Sequence, residues 1–344
     1  MDDSLLSGID PQTRLPFGVS KYYAQLAISQ DPTIDPIAAQ FIPQEAELLT
    51  LPVETPDPIG DRRYLVEDRL VHHYRDRVLV LVNDRCATYC RHCFRRHFTG
   101  HGGGRLTASQ LDRICGYLER TPEVQEILLS GGDPLMLPDA DLERIVDQLK
   151  AVNSDYIIRL CTRLPVVLPS RVTPQLAAML GRFNSIWAVI QTNHPREVTE
   201  DFRRAVRTFM AAGIPVLNQS VLLRGINDDV DTLERLFRDL IRAGVKPYYL
   251  FQGDLAAGTS HFRVPVERGI ELMRQLRSRL SGIAIPTYAV DLPDGGGKVP
   301  VESSLLRTEE AWYLFRGPDG KEYRYPRELE QSKIQNATRS SAPY

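Results

Sequence analysis

From residue 78 the chain repeats one alternation, a short β-branched or apolar run followed by an amphipathic helical stretch. This repeat restricts the fold more than any other feature of the sequence. The apolar runs cover residues 78–82, 126–129, 157–161, 186–190, 216–223 and 248–251, with a seventh at 284–290. Helical patterns fill the gaps at 107–119, 139–149, 174–180, 199–212, 231–243 and 266–280. Thr107 stands where an N-cap belongs, and Pro138 precedes the second helix. After the second run the starts recur about every 30 residues, the size of one βα unit. Strands joined through helices pair in parallel and need helices over the sheet, so the series predicts an α/β fold. Six or seven runs fall short of the eight strands of a closed barrel. The expected fold is a partial, open parallel βα barrel of about six strands with an N-terminal helical extension and a small C-terminal extension. The 344 residues fit one such barrel plus its extensions. The expected divisions are 1–75 for the N-terminal extension, 76–291 for the barrel and 292–344 for a lysine-bearing loop and C-terminal extension.

Residues 1–60 are rich in Pro, Asp and Gln and carry only short helical patches, such as 21–27; they are expected to pack on the main body. Near the other end, the aromatic-rich stretches 312–315 and 323–325 flank Gly317-Pro318-Asp319-Gly320-Lys321. That pattern predicts an appended hairpin, with 335–344 a polar tail. The opening Met1-Asp2-Asp3-Ser4 lacks the basic and apolar regions of a signal peptide, and residues 78–82 are far too short to span a bilayer. A cytoplasmic location is expected. Lys plus Arg total 42 against 44 Asp plus Glu, a net charge of −2. Neither nucleic acid nor a membrane is therefore expected as a partner.

Three of the five cysteines, Cys86, Cys90 and Cys93, form a C-x3-C-x2-C run just after the first predicted strand. Such clustering argues for a metal or redox site in a reducing compartment. Thiolates suit zinc or an iron–sulfur centre. A closed zinc site needs a fourth ligand, for which His92 and His97 are at hand. A [4Fe–4S] cluster held by three cysteines would keep one iron open for a ligand. Polar residues also follow the other predicted strands: Ser130-Gly131-Gly132-Asp133, Thr162-Arg163, Gln191-Thr192-Asn193-His194, Asn218-Gln219-Ser220, Gln252-Gly253-Asp254 and Asp291. Reacting groups of parallel barrels gather at this end of the strands, so one shared polar site is expected. The stretch Asp291-Leu292-Pro293-Asp294-Gly295-Gly296-Gly297-Lys298 is not a P-loop, since no Ser or Thr follows the lysine. Its glycines allow tight backbone around an amine, which would suit a Schiff-base lysine for pyridoxal phosphate or, equally, a surface turn with a solvated lysine.

Together these motifs resemble the lysine 2,3-aminomutase family of radical S-adenosylmethionine enzymes, from about Pro56 to Pro300. The resemblance rests on residues 74–77, Cys90-Arg91-His92-Cys93-Phe94-Arg95-Arg96, 129–134, 163–173, Asn193-His194-Pro195, 218–223, Pro247-Tyr248-Tyr249, His261-Phe262-Arg263 and the glycine-rich lysine loop. It implies that Cys86, Cys90 and Cys93 ligate a [4Fe–4S] cluster whose open iron takes S-adenosyl-L-methionine. Gly131, Gly132, Asp133 and Gln219 would belong to the adenosylmethionine pocket. Lys298 would be the catalytic residue that carries pyridoxal 5'-phosphate, with Arg77 in the coenzyme site. Arg95 would pair with the substrate carboxylate, and Asp254 and Asp291 with its distal ammonium. The implied activity is an isomerase that moves the amino group of L-lysine to give β-lysine. The implied partners are the amino acid, an electron donor such as flavodoxin or ferredoxin, and a second copy of the chain as an open option.

Two acidic groups favour a cationic side chain and repel that of glutamate. Arginine shares the charge and stays an alternative, as does glutamate for a family member of different outcome; a non-catalytic metal-binding protein is the remaining alternative. The sequence departs from the better-known lysine enzymes at His73, where arginine is common near the coenzyme phosphate, and at Asp294, where glycine is common. No cysteine follows Cys161. In this shortness the chain is similar to the aminomutases that supply β-lysine for modifying elongation factor P.

Overall fold

The computed structural model describes residues 15–101, 103–301, 305–309, 312–317 and 319–326. Ten strands form one sheet, hydrogen-bonded in chain order: β1 (Leu65–Glu67), β2 (Leu70–Tyr74), β3 (Arg77–Asn83), β4 (Glu126–Gly131), β5 (Ile157–Thr162), β6 (Ile186–Gln191), β7 (Val216–Val221), β8 (Lys246–Phe251), β9 (Thr287–Leu292) and β10 (Gly297–Pro300). Strands β3 to β9 run parallel. Strand β2 pairs antiparallel with both β1 and β3, and β10 pairs antiparallel with β9. After a single-turn α1 (Lys21–Ala24), the helices are α2 (Ala108–Glu119), α3 (Asp139–Val152), α4 (Leu164–Val167), α5 (Pro174–Leu180), α6 (Glu200–Ala211), α7 (Val230–Arg242) and α8 (Val266–Arg279).

The expected alternation is therefore present, with seven parallel strands. Helix starts follow from side chains that satisfy free N–H groups: Thr107, Thr173, Thr199 and Asp229 each accept from a backbone N–H in the first turn. Each long helix presents an apolar stripe to the sheet, such as Leu111, Ile114 and Leu118 on α2 and Leu233, Leu236, Phe237 and Leu240 on α7. These residues join Val78, Val80, Ile127, Leu129, Ile158 and Leu160 in one core. Fully burying a side chain of this size stabilises by about 1.5–3 kcal/mol. The period-2 alternation of each strand splits the two faces. On β5, Ile158 and Leu160 enter the core while Arg159 and Cys161 line an inner cavity.

Three elements depart from the expectation. The segment before residue 75 supplies β1 and β2 as well as helical turns, and β10 takes up only the end of the glycine-rich stretch, after a single turn at Pro293–Gly295. The sheet thus runs continuously past residues 75 and 291. Strand formation here is imposed by antiparallel partners, not by a local pattern. At the C-terminal end, β11 (Leu305–Thr308) joins the expected hairpin of β12 (Trp312–Arg316) and β13 (Glu322–Pro326) in a separate three-stranded sheet.

Among the described residues no backbone pairing joins β1 to β10, so the barrel is open. Side chains bridge the gap instead. Tyr74 Oη accepts from Lys298 N at 2.9 Å, Tyr64 Oη donates to Gly295 O at 3.0 Å, and Arg63 Nη1 donates to Asp294 O at 3.3 Å. Among the described residues no helix is long and apolar enough to cross a membrane.

The packing of α8 gives a direct test. A Cβ at Gly269 would lie 2.1 Å from Tyr288 Oη, whereas one at Gly282 meets nothing within 4 Å. Gly269→Ala is expected to destabilise by about 1–3 kcal/mol through overpacking, seen as a lower urea midpoint. Gly282→Ala should stay within about 0.5 kcal/mol of the parent.

Candidate active site

A cavity of about 460 Å³ opens among the C-terminal strand ends. One wall is the irregular connection from β3 to α2, which carries Cys86, Cys90 and Cys93, all partly buried and all lining the cavity. Long irregular segments need external support to hold one shape. Here it comes from the N-terminal extension. Tyr89 N donates to Gly18 O and Arg91 N to Gln40 O, each at 2.9 Å. Glu47, fully buried, takes Arg91 and Arg96 together, with Arg91 Nη2 at 2.5 Å and Arg96 Nη2 at 2.8 Å from its Oε2. Burial pushes the Glu47 carboxyl up, but the two guanidiniums outweigh it and hold the group below its ordinary value.

Burial pushes the Cys86 thiol well up, and the charges of Asp133, Cys93 and Cys90 push the same way. Burial and Cys90 likewise raise Cys93. A bound cation would favour their thiolate forms. Among the described residues no three His, Cys, Asp or Glu side chains converge as a ready single-ion site. His92 is held otherwise, its Nε2 lying 3.2 Å from Asn193 Nδ2.

The turn after β4 packs against the root of this connection. Gly132 N donates to Asn83 O at 2.7 Å and Asp133 N to Arg85 O at 2.8 Å. A Cβ on Gly131 (φ 113°) would sit 2.4 Å from Asn83 O, and one on Gly132 would sit 2.3 Å from Arg85 O. Both glycines are required by this close approach. Asp133 accepts from Leu135 N, Thr162 Oγ1 and Arg163 N at 2.7–3.0 Å, tying β4 to β5. Gln219, on β7, lines the cavity.

The opposite wall holds Lys298 and the acidic residues. The antiparallel register places Lys298 across from Asp291, and Lys298 Nζ lies 2.9 Å from Asp291 Oδ2. The same ammonium sits over the Phe251 ring, 3.9 Å from its centroid. Asp254, just beyond β8, also lines the cavity. Burial and the charge of Asp291 raise its pKa to about 7, against the lowering pull of Lys298 and Arg95. Arg95 bonds Asp61 Oδ2 through Nη2 at 3.0 Å and Nε at 3.1 Å, and its Nη1 lies 3.4 Å from Ser130 Oγ. Arg77, at the start of β3, lies over the Tyr74 ring at 3.8 Å. His73 stacks between Tyr64 and Tyr74, with centroids 4.0 and 4.4 Å apart.

All the residues singled out from the sequence as site candidates line this cavity: Arg77, Cys86, Cys90, Cys93, Arg95, Gly131, Gly132, Asp133, Gln219, Asp254, Asp291 and Lys298. The expectation that every strand end contributes holds, but some polar residues at the ends of β6 and β7 bond each other instead of facing the cavity. Ser220 Oγ donates to Thr192 O at 2.6 Å, and Asn193 Oδ1 accepts from Val221 N at 2.9 Å. These groups stitch the strand ends together, while Gln191 and Gln219 face inward. The sequence reading missed Asp61 as the partner of Arg95, Glu47 beneath the cysteine wall, and the ion pair of Arg159 with Glu126 on the cavity lining.

The fold, the cysteine wall and the glycine turn define a class, and comparison with known proteins agrees. Residues 80–240 match the radical SAM superfamily, which implies a [4Fe–4S] cluster and S-adenosylmethionine. Residues 273–337 match the lysine-2,3-aminomutase family model. The chain is 42% identical over 287 residues to the L-lysine 2,3-aminomutase of Clostridium subterminale, covering 83% of this chain and 69% of that one. It is 45% identical over 292 residues to a putative L-lysine 2,3-aminomutase of Treponema pallidum, covering 83% and 82%. It is also 36% identical over 310 residues to a glutamate 2,3-aminomutase of Clostridioides difficile, covering 90% and 73%. The chain belongs to the lysine 2,3-aminomutase family of radical SAM isomerases.

The raised Asp254 carboxyl ties stability to pH. It keeps a proton in the folded state up to about pH 7, whereas its ordinary value is 3.8. The folded form therefore binds more protons than the unfolded form between those values, and stability falls as pH rises through the window. Asp254→Asn, which cannot ionise, is expected to melt above the parent at pH 8 and to lose that advantage near pH 4. Thermal scans across pH check this.

Proposed function

We propose that this protein converts L-lysine to β-lysine by moving the amino group from C2 to C3. The observation that carries the reading is the placement of two carboxylates, Asp254 and Asp291, in the cavity that also holds the three thiols and Lys298. Cys86, Cys90 and Cys93 would hold the cluster. A cubane takes each thiolate on a different iron, so its ligands need not converge on a point, which fits thiols spread along one wall. Gly131, Gly132, Asp133 and Gln219 would line the adenosylmethionine side. Lys298 would carry pyridoxal phosphate, with Arg77 toward its phosphate. When bound, the cluster with adenosylmethionine supplies a hydrogen-abstracting radical, and pyridoxal phosphate supplies a π-system that eases nitrogen migration.

The side chains bind and orient. Arg95 offers a planar fork to the substrate carboxylate, which exchanges with Asp61. Asp291 is paired with the Lys298 ammonium. Once that amine is committed to the coenzyme, Asp291 needs another cation, and the distal ammonium of lysine provides one. Asp254 ionises beside the same ammonium, because an opposite charge lowers a carboxyl pKa. The cavity walls hold the reacting carbons still and away from water. A low-potential donor such as flavodoxin or ferredoxin would supply the electron. Use of β-lysine to modify elongation factor P rests on family resemblance, and loss of the modified mass of that factor in a strain lacking this protein is the expected result.

The direct test is anaerobic reconstitution with iron, sulfide and pyridoxal phosphate, followed by adenosylmethionine, a reductant and lysine, arginine or glutamate in turn. β-Lysine is expected from lysine. Lys298→Ala and Cys90→Ala should abolish turnover. Asp291→Ala should lower kcat/KM at least about a hundredfold, near 2.7 kcal/mol of transition-state stabilisation. Formation of β-glutamate alone would overturn the substrate assignment.

A further inference from the structure

We propose that Arg163 is a positioning residue that sets the reduction potential of the cluster through Cys90. The inference rests on the reading of Cys90 as a cluster ligand and goes beyond it. Arg163 follows β5 directly and is 6% exposed. Its Nη1 donates to Cys90 Sγ. Among the described residues Cys90 is the member of the trio that receives a side-chain donor. Nη2 donates to Glu197 Oε1 at 2.7 Å and to Gln40 Oε1 at 2.5 Å, and lies 3.0 Å from Tyr23 Oη. Glu197 is fully buried and is itself fixed. Its Oε1 accepts from Tyr23 Oη at 2.5 Å, and its Oε2 accepts from Asn193 N at 2.6 Å and His194 N at 2.9 Å. The guanidinium cannot leave Cys90 without breaking bonds to three separate stretches of chain.

The electrostatic consequence has a sign. One electron entering the cluster from an added low-potential reductant adds one negative charge, and no bond at Arg163 forms or breaks. A fixed cation donating to a ligand sulfur stabilises the reduced form more than the oxidised form and raises the potential. The buried Glu197 anion offsets part of this effect. Removing either member therefore shifts the potential in opposite directions, which a purely structural role would not do.

The test uses the full chain reconstituted anaerobically as wild type, Arg163→Gln, Arg163→Lys and Glu197→Gln. Iron and sulfide are determined first, then each protein is titrated with dithionite and mediators and read by electron paramagnetic resonance. At the wild-type midpoint, Arg163→Gln should show a reduced-to-oxidised ratio about tenfold lower, equal to about 59 mV for a one-electron couple. Arg163→Lys should stay near wild type, and Glu197→Gln should shift the opposite way. A fully loaded Arg163→Gln cluster at the wild-type midpoint would overturn the inference. If that variant takes up no cluster, an unshifted Glu197→Gln midpoint overturns it, and a raised one supports it. Wild-type protein that binds no cluster would instead overturn the cluster reading, and this inference with it.

Discussion

The ion pair between Lys298 and Asp291 organises the cavity. It is a consequence of backbone register: β10 folds back on β9 so that the two residues stand directly opposite, within the reach of cross-strand neighbours. The pairing leaves two carboxylates facing one ammonium, and burial together with the charge of Asp291 raises the Asp254 pKa to about 7. A carboxyl so poised takes up or releases a proton according to which cation stands near it. The arrangement depends on the sheet staying open. Strand β10 is an edge, and the far end of the sheet reaches it through Tyr64 and Tyr74, not through a backbone ladder. These two hydroxyls position the lysine-bearing strand while leaving its amine free to face inward.

On the other side of the cavity, order comes from buried charge. The connection carrying the cysteines has little secondary structure, yet Arg91 and Arg96 bracket Cys93 and both end on Glu47. Breaking a buried pair by removing one partner costs about 3–5 kcal/mol, because the remaining charge is left in a low-dielectric site. Glu47 thus fixes the cysteine wall from outside the barrel. Residues 15–60, which lie outside the repeating alternation, supply Tyr23, Gln40 and Glu47 to the back of the site. The N-terminal extension is part of the machinery that holds the cavity in shape.

This division explains what was legible in the sequence. The parallel strands and their helices could be read because each carries its own periodicity and cap; α5 begins at Pro174 and ends at Leu180, the limits the pattern marks. The cavity-lining residues could be read because parallel sheets gather functional groups at one end of the strands. What escaped depends on contacts distant in sequence. Asp61 precedes Arg95 by 34 residues, and Glu197 follows Arg163 by the same interval; nothing near either acid announces its partner. Strand β10 escaped because it opens on a glycine and closes on a proline, both of low strand preference, and only the pairing with β9 makes it a strand. The glycines after β4 were noticed for a different reason. Expected from the resemblance at the adenosylmethionine pocket, they are also required by the close approach of the backbone of Asn83 and Arg85.

Family membership narrows the substrate less than the charges do. Relatives acting on lysine and on glutamate share this chain's sequence over most of its length, so neither the barrel nor the cysteine wall distinguishes them. Under the proposed reading, the choice falls to the residues just beyond β8 and at the end of β9. A lysine side chain brings the cation that Asp254 and Asp291 lack once Lys298 is neutralised, and its carboxylate replaces Asp61 at Arg95. A glutamate side chain would place a third carboxylate beside the other two with no cation to share, or force both aspartates to hold protons. Either outcome costs several kcal/mol in a site shielded from water. The same argument separates recognition from chemistry. Under the proposed reading, radical formation belongs to the cysteine wall, whereas the substrate is selected by a charge balance set at two strand ends.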